Sequence, residues 1–551
     1  MILKSKYSKL KRSRQVITIL AKYGLDYFID RSKLRLLSKI KKIPKDYQTL
    51  SLSKRICRSL EELGPTFIKL GQILSTRPDF LPPAFIMELE KLQDEVPPFD
   101  SFLAREIIEQ ELGKPISKLF KEFCELPIAA ASLSQVHKAI LPNGETVAVK
   151  IQRPDVEELI KLDLEILEDL AGFVDRKLEN GWVYHPKLIV GEFRKAIQKE
   201  VDFTNEAHHY EKFRINFKDI DYIKIPKIYW DITTTKVITT EFIEGTKISE
   251  ITQEEYSGIF DPKKVARRGA HMILKQIFED GFFHADPHPA NIFVLPPATI
   301  VILDVGQVGY VDENMIKNGA KLLLAMMEKD LDQGMRCLEA LGMLEKEFDE
   351  NRLRQDFTEL IDHYVRIPLK DIEIKKLAQD TIEIMVYHNL VLPSNLALMI
   401  KALSMAETLG KQLDPDFNVV SVGRPFMVKI ISRSFSPEKL FKRGNAFIQG
   451  SIEFIEKLPN DLRDTLKKLK EGKIKFIFEH RGLEKLAREI NRSAKCKSLS
   501  IIIASIILGS SFIMQMNIGP VIFGYPVQGI IGYILAIFLG LILIISLRSG
   551  K

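Results

Sequence analysis

The chain has 551 residues, 46% hydrophobic and 28% charged, enough for two to four domains and a large buried core. Eighty basic residues against 73 acidic give a modest +7. The four cysteines, Cys57, Cys124, Cys337 and Cys496, lie far apart with neither CxxC nor metal-ligand spacing, which argues against a zinc site and for reduced thiols in a cytosolic compartment.

The basic excess is concentrated at the start. Lys4, Lys6, Lys9, Lys11, Arg12, Arg14 and Lys22 occur before the first carboxylate. Two readings are open, contact with anionic head groups or nucleic acid and a solvated terminus. The apolar stretch Val16–Ala21, ended by Lys22, is too short for a signal peptide. Residues 1–50 are expected to be a basic helical segment. Residues 51–125 are expected to form a helical extension with a break at Val96-Pro97-Pro98. Within it Lys69 and Gln72 are spaced to share one helical face.

A small lobe is expected over 126–240. It opens with Ala129, Ala130, Ala131 and Ser132, followed by an Asn143-Gly144 turn and a strand of alternating apolar residues that presents Lys150. Asp155–Leu178 reads as a charged amphipathic helix. Further on come Glu200, Asp202 and Glu206. Asp202 and Glu206 share a helical face, whereas Glu200 and Asp202 do not, so a helix starts near Asp202 or one carboxylate has another task. The β-branched run Val237–Thr240 predicts a strand leading into Glu241-Phe242-Ile243, a candidate hinge whose backbone would meet adenine.

A large lobe is expected over 241–440, mostly helical after Val311. It carries His284-Ala285-Asp286 and Asn291, then Asp304-Val305-Gly306 after the apolar strand Thr299–Leu303. The order and spacing match the catalytic and metal-binding loops of protein kinases. Asp286 is the candidate catalytic base, Asn291 and Asp304 are oxygen ligands for magnesium, and Lys150 is the point charge for the nucleotide phosphates. No Ala-Pro-Glu follows Asp304-Val-Gly306, and Ala285 replaces the usual arginine, so neither a peptide platform nor control by loop phosphorylation is expected.

Residues 441–497 read as a basic helical connector, with a dense cluster in Leu462–Lys475. Two uncharged runs follow, Leu499–Met516 and Val527–Leu547, with lysines before and Arg548 and Lys551 after. A bilayer core of about 30 Å needs about 20 apolar helical residues, so 498–548 predicts a transmembrane hairpin with both ends cytoplasmic. A single span with a re-entrant segment stays open.

Together these residues resemble the UbiB family of atypical kinase-like proteins, which includes mitochondrial proteins needed for coenzyme Q synthesis. Three motifs carry the likeness: Lys69-Leu70-Gly71-Gln72 with Ser75-Thr76-Arg77-Pro78-Asp79 after it, the Ala129–Ser132 loop where ordinary kinases have glycines, and Glu200-Val201-Asp202 ahead of Glu206. The resemblance implies that Glu206 pairs with Lys150, and that Lys69, Gln72, Glu200 and Asp202 cover the site. It implies an α+β, two-lobed protein-kinase-like fold with an N-terminal helical extension and the C-terminal hairpin. Bound ATP or ADP with magnesium is expected, at the cytoplasmic face of the inner membrane. The partners expected are anionic lipid, a prenyl-lipid or quinone-precursor substrate and quinone-biosynthesis enzymes, with no nucleic acid. The activity implied is ATP hydrolysis or phosphorylation of a small or lipid acceptor. A non-catalytic nucleotide-gated scaffold is the alternative.

Overall fold

A computed structural model describes residues 2–25, 50–75, 77, 81, 83–92, 96–177, 186–328, 330–344, 349–365, 367, 373–388, 390, 392–434, 483–516, 520–522 and 525–548. The chain divides into two units, Met1–Leu440 and Phe441–Lys551. The basic cluster Leu462–Lys475 lies outside the described residues.

The first unit begins with helices α1 (Ile2–Lys22), α2 (Leu52–Leu63), α3 (Pro65–Ser75) and α4 (Pro83–Leu89). Leu60, Leu63, Phe67, Leu70, Leu89 and Leu92 pack into one apolar cluster with Val16 and Ile19 of α1. Gly71 sits where α3 meets its neighbours, and a Cβ there would overlap the Leu92 side chain and press on Leu60 and Leu89. That contact gives the motif glycine a packing reason. Part of the basic charge on α1 is spent in ion pairs with the rest of the fold, one of them buried. Arg12 Nε lies 2.7 Å from the fully buried Asp163, Lys9 is 2.8 Å from Glu165, and Lys22 is 2.7 Å from Glu62.

After α5 (Ser101–Leu112) and α6 (Ile116–Leu119) comes an antiparallel sheet in the order β1 (Glu122–Phe123), β3 (Ser134–Ile140), β4 (Thr146–Gln152), β6 (Val237–Glu241), with β2 (Ala129–Ala130) also on β3. Gly144 turns the β3–β4 hairpin at φ +90°, a backbone geometry that favours glycine. The two-residue period of β4 decides the site. Val147, Val149 and Ile151 are fully buried on one face against Ile108 and Leu119, so Ala148 and Lys150 face the other way.

Helices α7 (Val156–Lys177), α8 (Pro186–Val201) and α9 (Phe203–Asn216) intervene before β6. α8 and α9 are not continuous. Asp202 breaks them at φ −91°, ψ 101° and accepts from Thr204 N at 3.0 Å, an N-cap that begins a new helix.

In the large lobe, β5 (Ile223–Lys224), β10 (Thr299–Ile302), β9 (Ile292–Leu295) and β7 (Thr246–Lys247) form a second sheet, while β11 (Val308–Tyr310) pairs with β8 (Phe282–His284). α10 (Pro262–Lys275) buries Val265, Ala266, Met272 and Ile273 in the largest core. Helices α11 (Glu313–Glu328), α12 (Leu331–Ala340), α13 (Glu350–Val365), α14 (Ile374–Tyr387), α15 (Ser394–Leu413) and α16 (Val419–Ser434) complete the unit. The α+β, two-lobed kinase-like architecture is thus present, with a helical extension before it and further helices after it.

In the second unit, α17 (Leu483–Met516) and α18 (Val527–Arg548) run antiparallel. Ser511 Oγ lies 2.6 Å from the Tyr533 hydroxyl, and Gly529 and Gly532 sit against Met514 and Ser510, so small residues let the helices approach closely. Lys497–Met516 is long and apolar enough to cross a membrane, and the apolar stretch of α18 is described over Val527–Leu541. The residues 483–497, part of the basic connector, are helical and continuous with that first run.

Candidate active site

One cavity of about 2080 Å³ lies between the lobes and gathers residues from distant parts of the sequence. Lys150 enters from β4. Its Nζ lies 2.8 Å from Glu206 Oε2 on α9 and 3.5 Å from Asp304 Oδ2 just after β10. Burial alone would lower the Lys150 pKa, but Asp304 and Glu206 more than offset this and hold the ammonium charged. Burial pushes Glu206 up to about 7, against the pull of Lys150. Asp304 goes the other way. Burial opposes its charge, yet Lys150 and the Gly306 N–H, which donates to Oδ1 at 2.9 Å, keep it below the usual carboxylate range.

The Ala-rich loop roofs the cavity. Ala129 and Ala130 pair in antiparallel register with Val136 and Gln135, and Ala131 N donates to Ser134 O at 2.8 Å. Arg153 Nε donates to Ala131 O at 2.9 Å and Nη2 donates to Pro97 O at 2.9 Å, fixing the loop to the Pro-rich break. Behind it, Gln135 and His137 form a buried polar pair, with His137 Nδ1 2.8 Å from Cys124 O. Ser132 is fully buried at the turn. The loop is therefore a strand-anchored roof.

At the hinge, β6 ends in Glu241 opposite Val147, and Phe242 N donates to Thr146 O at 3.1 Å. The Glu241 carboxylate is 2.6 Å from Lys224 Nζ, so its side chain serves that ion pair. Glu241 and Ile243 both line the cavity.

The cover residues divide. Lys69 is buried on α3 and forms an ion pair with Glu200 at the end of α8. Gln72 lines the cavity, with Nε2 3.4 Å from Leu92 O. Asp202 caps the next helix. Its carboxylate is turned to Thr204, accepting from both N and Oγ1 of that residue. Lys69, Gln72 and Glu200 line the cavity, whereas Asp202, the N-cap of α9, is not among its lining residues.

On the far wall, β8 places the buried His284 beneath the loop, its Nδ1 3.3 Å from both Asp286 N and Gln307 O. Burial lowers the His284 pKa. Asp286 and Asn291 both line the cavity. Asn291 and Asp304 offer hard oxygens suited to magnesium. Among the described residues no group of three or more His, Cys, Asp or Glu is placed to hold a metal ion.

One site residue carried no signal in the sequence. Lys401 of α15 places Nζ 2.8 Å from Asp286 Oδ1. Burial would raise the Asp286 pKa, but Lys401, with His284 and His288, more than offsets it and the carboxyl sits below its ordinary range. Arg77, within the stretch after Gln72, is buried and donates to Ser394 Oγ at 2.7 Å, tying the N-terminal extension to the start of α15. Arg77 was visible as part of a motif, though its partner was not.

Family models match this chain three times. Residues 91–338 match an ABC1 atypical kinase-like domain, 357–418 a UbiB helical domain and 481–549 an ABC1/UbiB kinase-like C-terminal domain. A protein of the hydrogenase 1 5′ region of Clostridium pasteurianum is 32% identical over 98% of this chain and 99% of its own length. The chain belongs to the ABC1/UbiB atypical kinase-like family. A Marinobacter nauticus relative named probable protein kinase UbiB is 34% identical, covering 83% of this chain and 85% of that protein. A solved Mycobacterium tuberculosis structure in complex with erythromycin is 24% identical, covers 58% of this chain and 80% of that one, and gives a TM-score of 0.45. The UbiB helical match includes Lys401, and the C-terminal match includes the paired apolar helices.

Proposed function

We propose that this ABC1/UbiB protein is a membrane-anchored, magnesium-nucleotide-dependent atypical kinase or ATPase that supports prenyl-lipid or quinone biosynthesis. The observation that carries the reading is the meeting of Lys150, Glu206, Asp286, Asn291 and Asp304 around one cavity. The pathway rests on membership of the ABC1/UbiB family.

In this reading Lys150 engages the α- and β-phosphates and Glu206 orients it. Asn291 and Asp304 would hold magnesium, which supplies charge neutralisation across the phosphates when bound. Asp286 orients the acceptor hydroxyl or water. A carboxylate held below its ordinary range is a weak base, so the acceptor proton reaches it late, as the bond from the terminal phosphorus to the departing diphosphate breaks and the bond to the acceptor oxygen forms. Ligand sites are commonly about 300–1,000 Å³. The 2080 Å³ here leaves room for an acceptor beside the nucleotide. Anchoring is supported by Lys497–Met516, whose 20 residues match the bilayer core. The basic ends of the hairpin favour a cytoplasmic catalytic unit.

The test is ATP turnover by the purified full chain in anionic liposomes. Asp286→Asn should lower the rate by about 100-fold or more, in the range of a lost general base. Equal rates would sink the enzymatic reading and leave a nucleotide-gated scaffold.

A further inference from the structure

Lys401 has no place in the kinase-like roles described above. Phosphoryl transfer depends on positive charge facing the group that moves. The segment His284–Asn291 contains no lysine or arginine, and Ala285, where a kinase has its arginine, is buried. Lys150 serves the opposite wall, between Glu206 and Asp304. The cation beside Asp286 comes instead from α15. That helix is firmly seated. Ala402, Ala406, Leu409 and Leu413 belong to the main core, and Ser394 at its start accepts from Arg77.

Lys401 and Asp286 side chains are 29% and 32% exposed, so solvent screens part of what the pair contributes to stability. They are both in the wall of the cavity. An oxygen within hydrogen-bond reach of Asp286 would sit within about 3–6 Å of the Lys401 ammonium, close enough for a direct contact after a small rotation of its flexible stem.

We propose that Lys401 is a ligand of the terminal phosphate of a bound nucleoside triphosphate, supplied by the UbiB helical segment to the catalytic loop. The assignment rests on reading the cavity as a nucleotide site. Lys401 bridges to Asp286 when no phosphate is present and shifts to the phosphate oxygens when the triphosphate binds. It does not touch a diphosphate, which lacks the terminal group. The helical segment is thereby part of the active site.

Calorimetric binding of MgATP and MgADP to the full chain in detergent tests this, comparing wild type with Lys401→Met, Lys401→Gln and Lys401→Arg. Both neutral variants should bind MgATP about tenfold more weakly and MgADP within about twofold of wild type, the size expected for one charge-assisted hydrogen bond. Lys401→Arg should restore most of the loss. Equal weakening of both nucleotides, or no change in either, overturns the assignment. Absence of any binding by the wild type overturns the nucleotide reading, a different result from wild-type binding that ignores Lys401.

Discussion

The two walls of the cavity are built on different principles. On the wall proposed to hold the nucleotide, Lys150, Glu206 and Asp304 come from a strand, a capped helix and a strand end, and Lys150 contacts both carboxylates directly. On the wall proposed to face the acceptor, Asp286 sits in a loop without a lysine or arginine of its own and takes a cation from α15. The nucleotide wall is specified by strand register and local motifs. The acceptor wall depends on tertiary packing of a helix far downstream.

The largest effect that would break this contrast is on the nucleotide wall. Glu206→Ala removes the partner 2.8 Å from Lys150 and leaves the ammonium between Asp304 and an apolar gap. Breaking a buried ion pair costs roughly 3–5 kcal/mol. Lys150 and Glu206 are 22% and 9% exposed, so we expect the lower part of that range by chemical denaturation, with MgATP affinity down by more than about tenfold. A variant with full affinity would show that the pair is dispensable and the walls less different than they look.

A smaller effect sharpens the contrast on the acceptor wall. Asp286 must be ionised to orient an acceptor, and activity is lost as pH falls through its pKa. Lys401, with lesser help from His284 and His288, keeps that pKa low, whereas burial acts in the opposite sense. In Lys401→Met the burial effect is no longer offset in the nucleotide-free enzyme, so the acid limb of the kcat/KM–pH profile, which reports that state, should move to higher pH. An unmoved limb would mean that Asp286 is held ionised by something other than α15.

How much of this was legible follows the same division. The Asn143-Gly144 turn and the alternation of β4 predict both the hairpin and the face that carries Lys150, because a two-residue period leaves no choice once Val147, Val149 and Ile151 are inside. The spacing from Asp286 to Asn291, and the apolar strand before Asp304, point to the loops for a similar reason. Lys401 gave no sign. It lies in an ordinary amphipathic helix, and only the packing of α15 against the large lobe brings it to Asp286. The basic N-terminus was readable as a cluster and not as a set of partners, since Arg12 and Asp163 meet only when α1 docks on α7.

The smallest expected effect concerns Asp202, where helical periodicity left two answers. Glu200 and Asp202 cannot share a face of one helix, and the chain resolves this by ending α8 at Val201 and starting α9 at Phe203. Glu200 then reaches Lys69, and Asp202 caps the helix that delivers Glu206. The cap acts through the placement of α9 and not through contact with a ligand. Asp202→Ala should cost about 1 kcal/mol of stability, as lost N-caps do. Asp202→Ser, which can still accept from Thr204 N, should recover most of it. MgATP affinity should stay within about twofold in both variants. Loss of affinity that serine fails to restore would return Asp202 to the cover over the nucleotide wall, because a second carboxylate would then be needed beside Lys69.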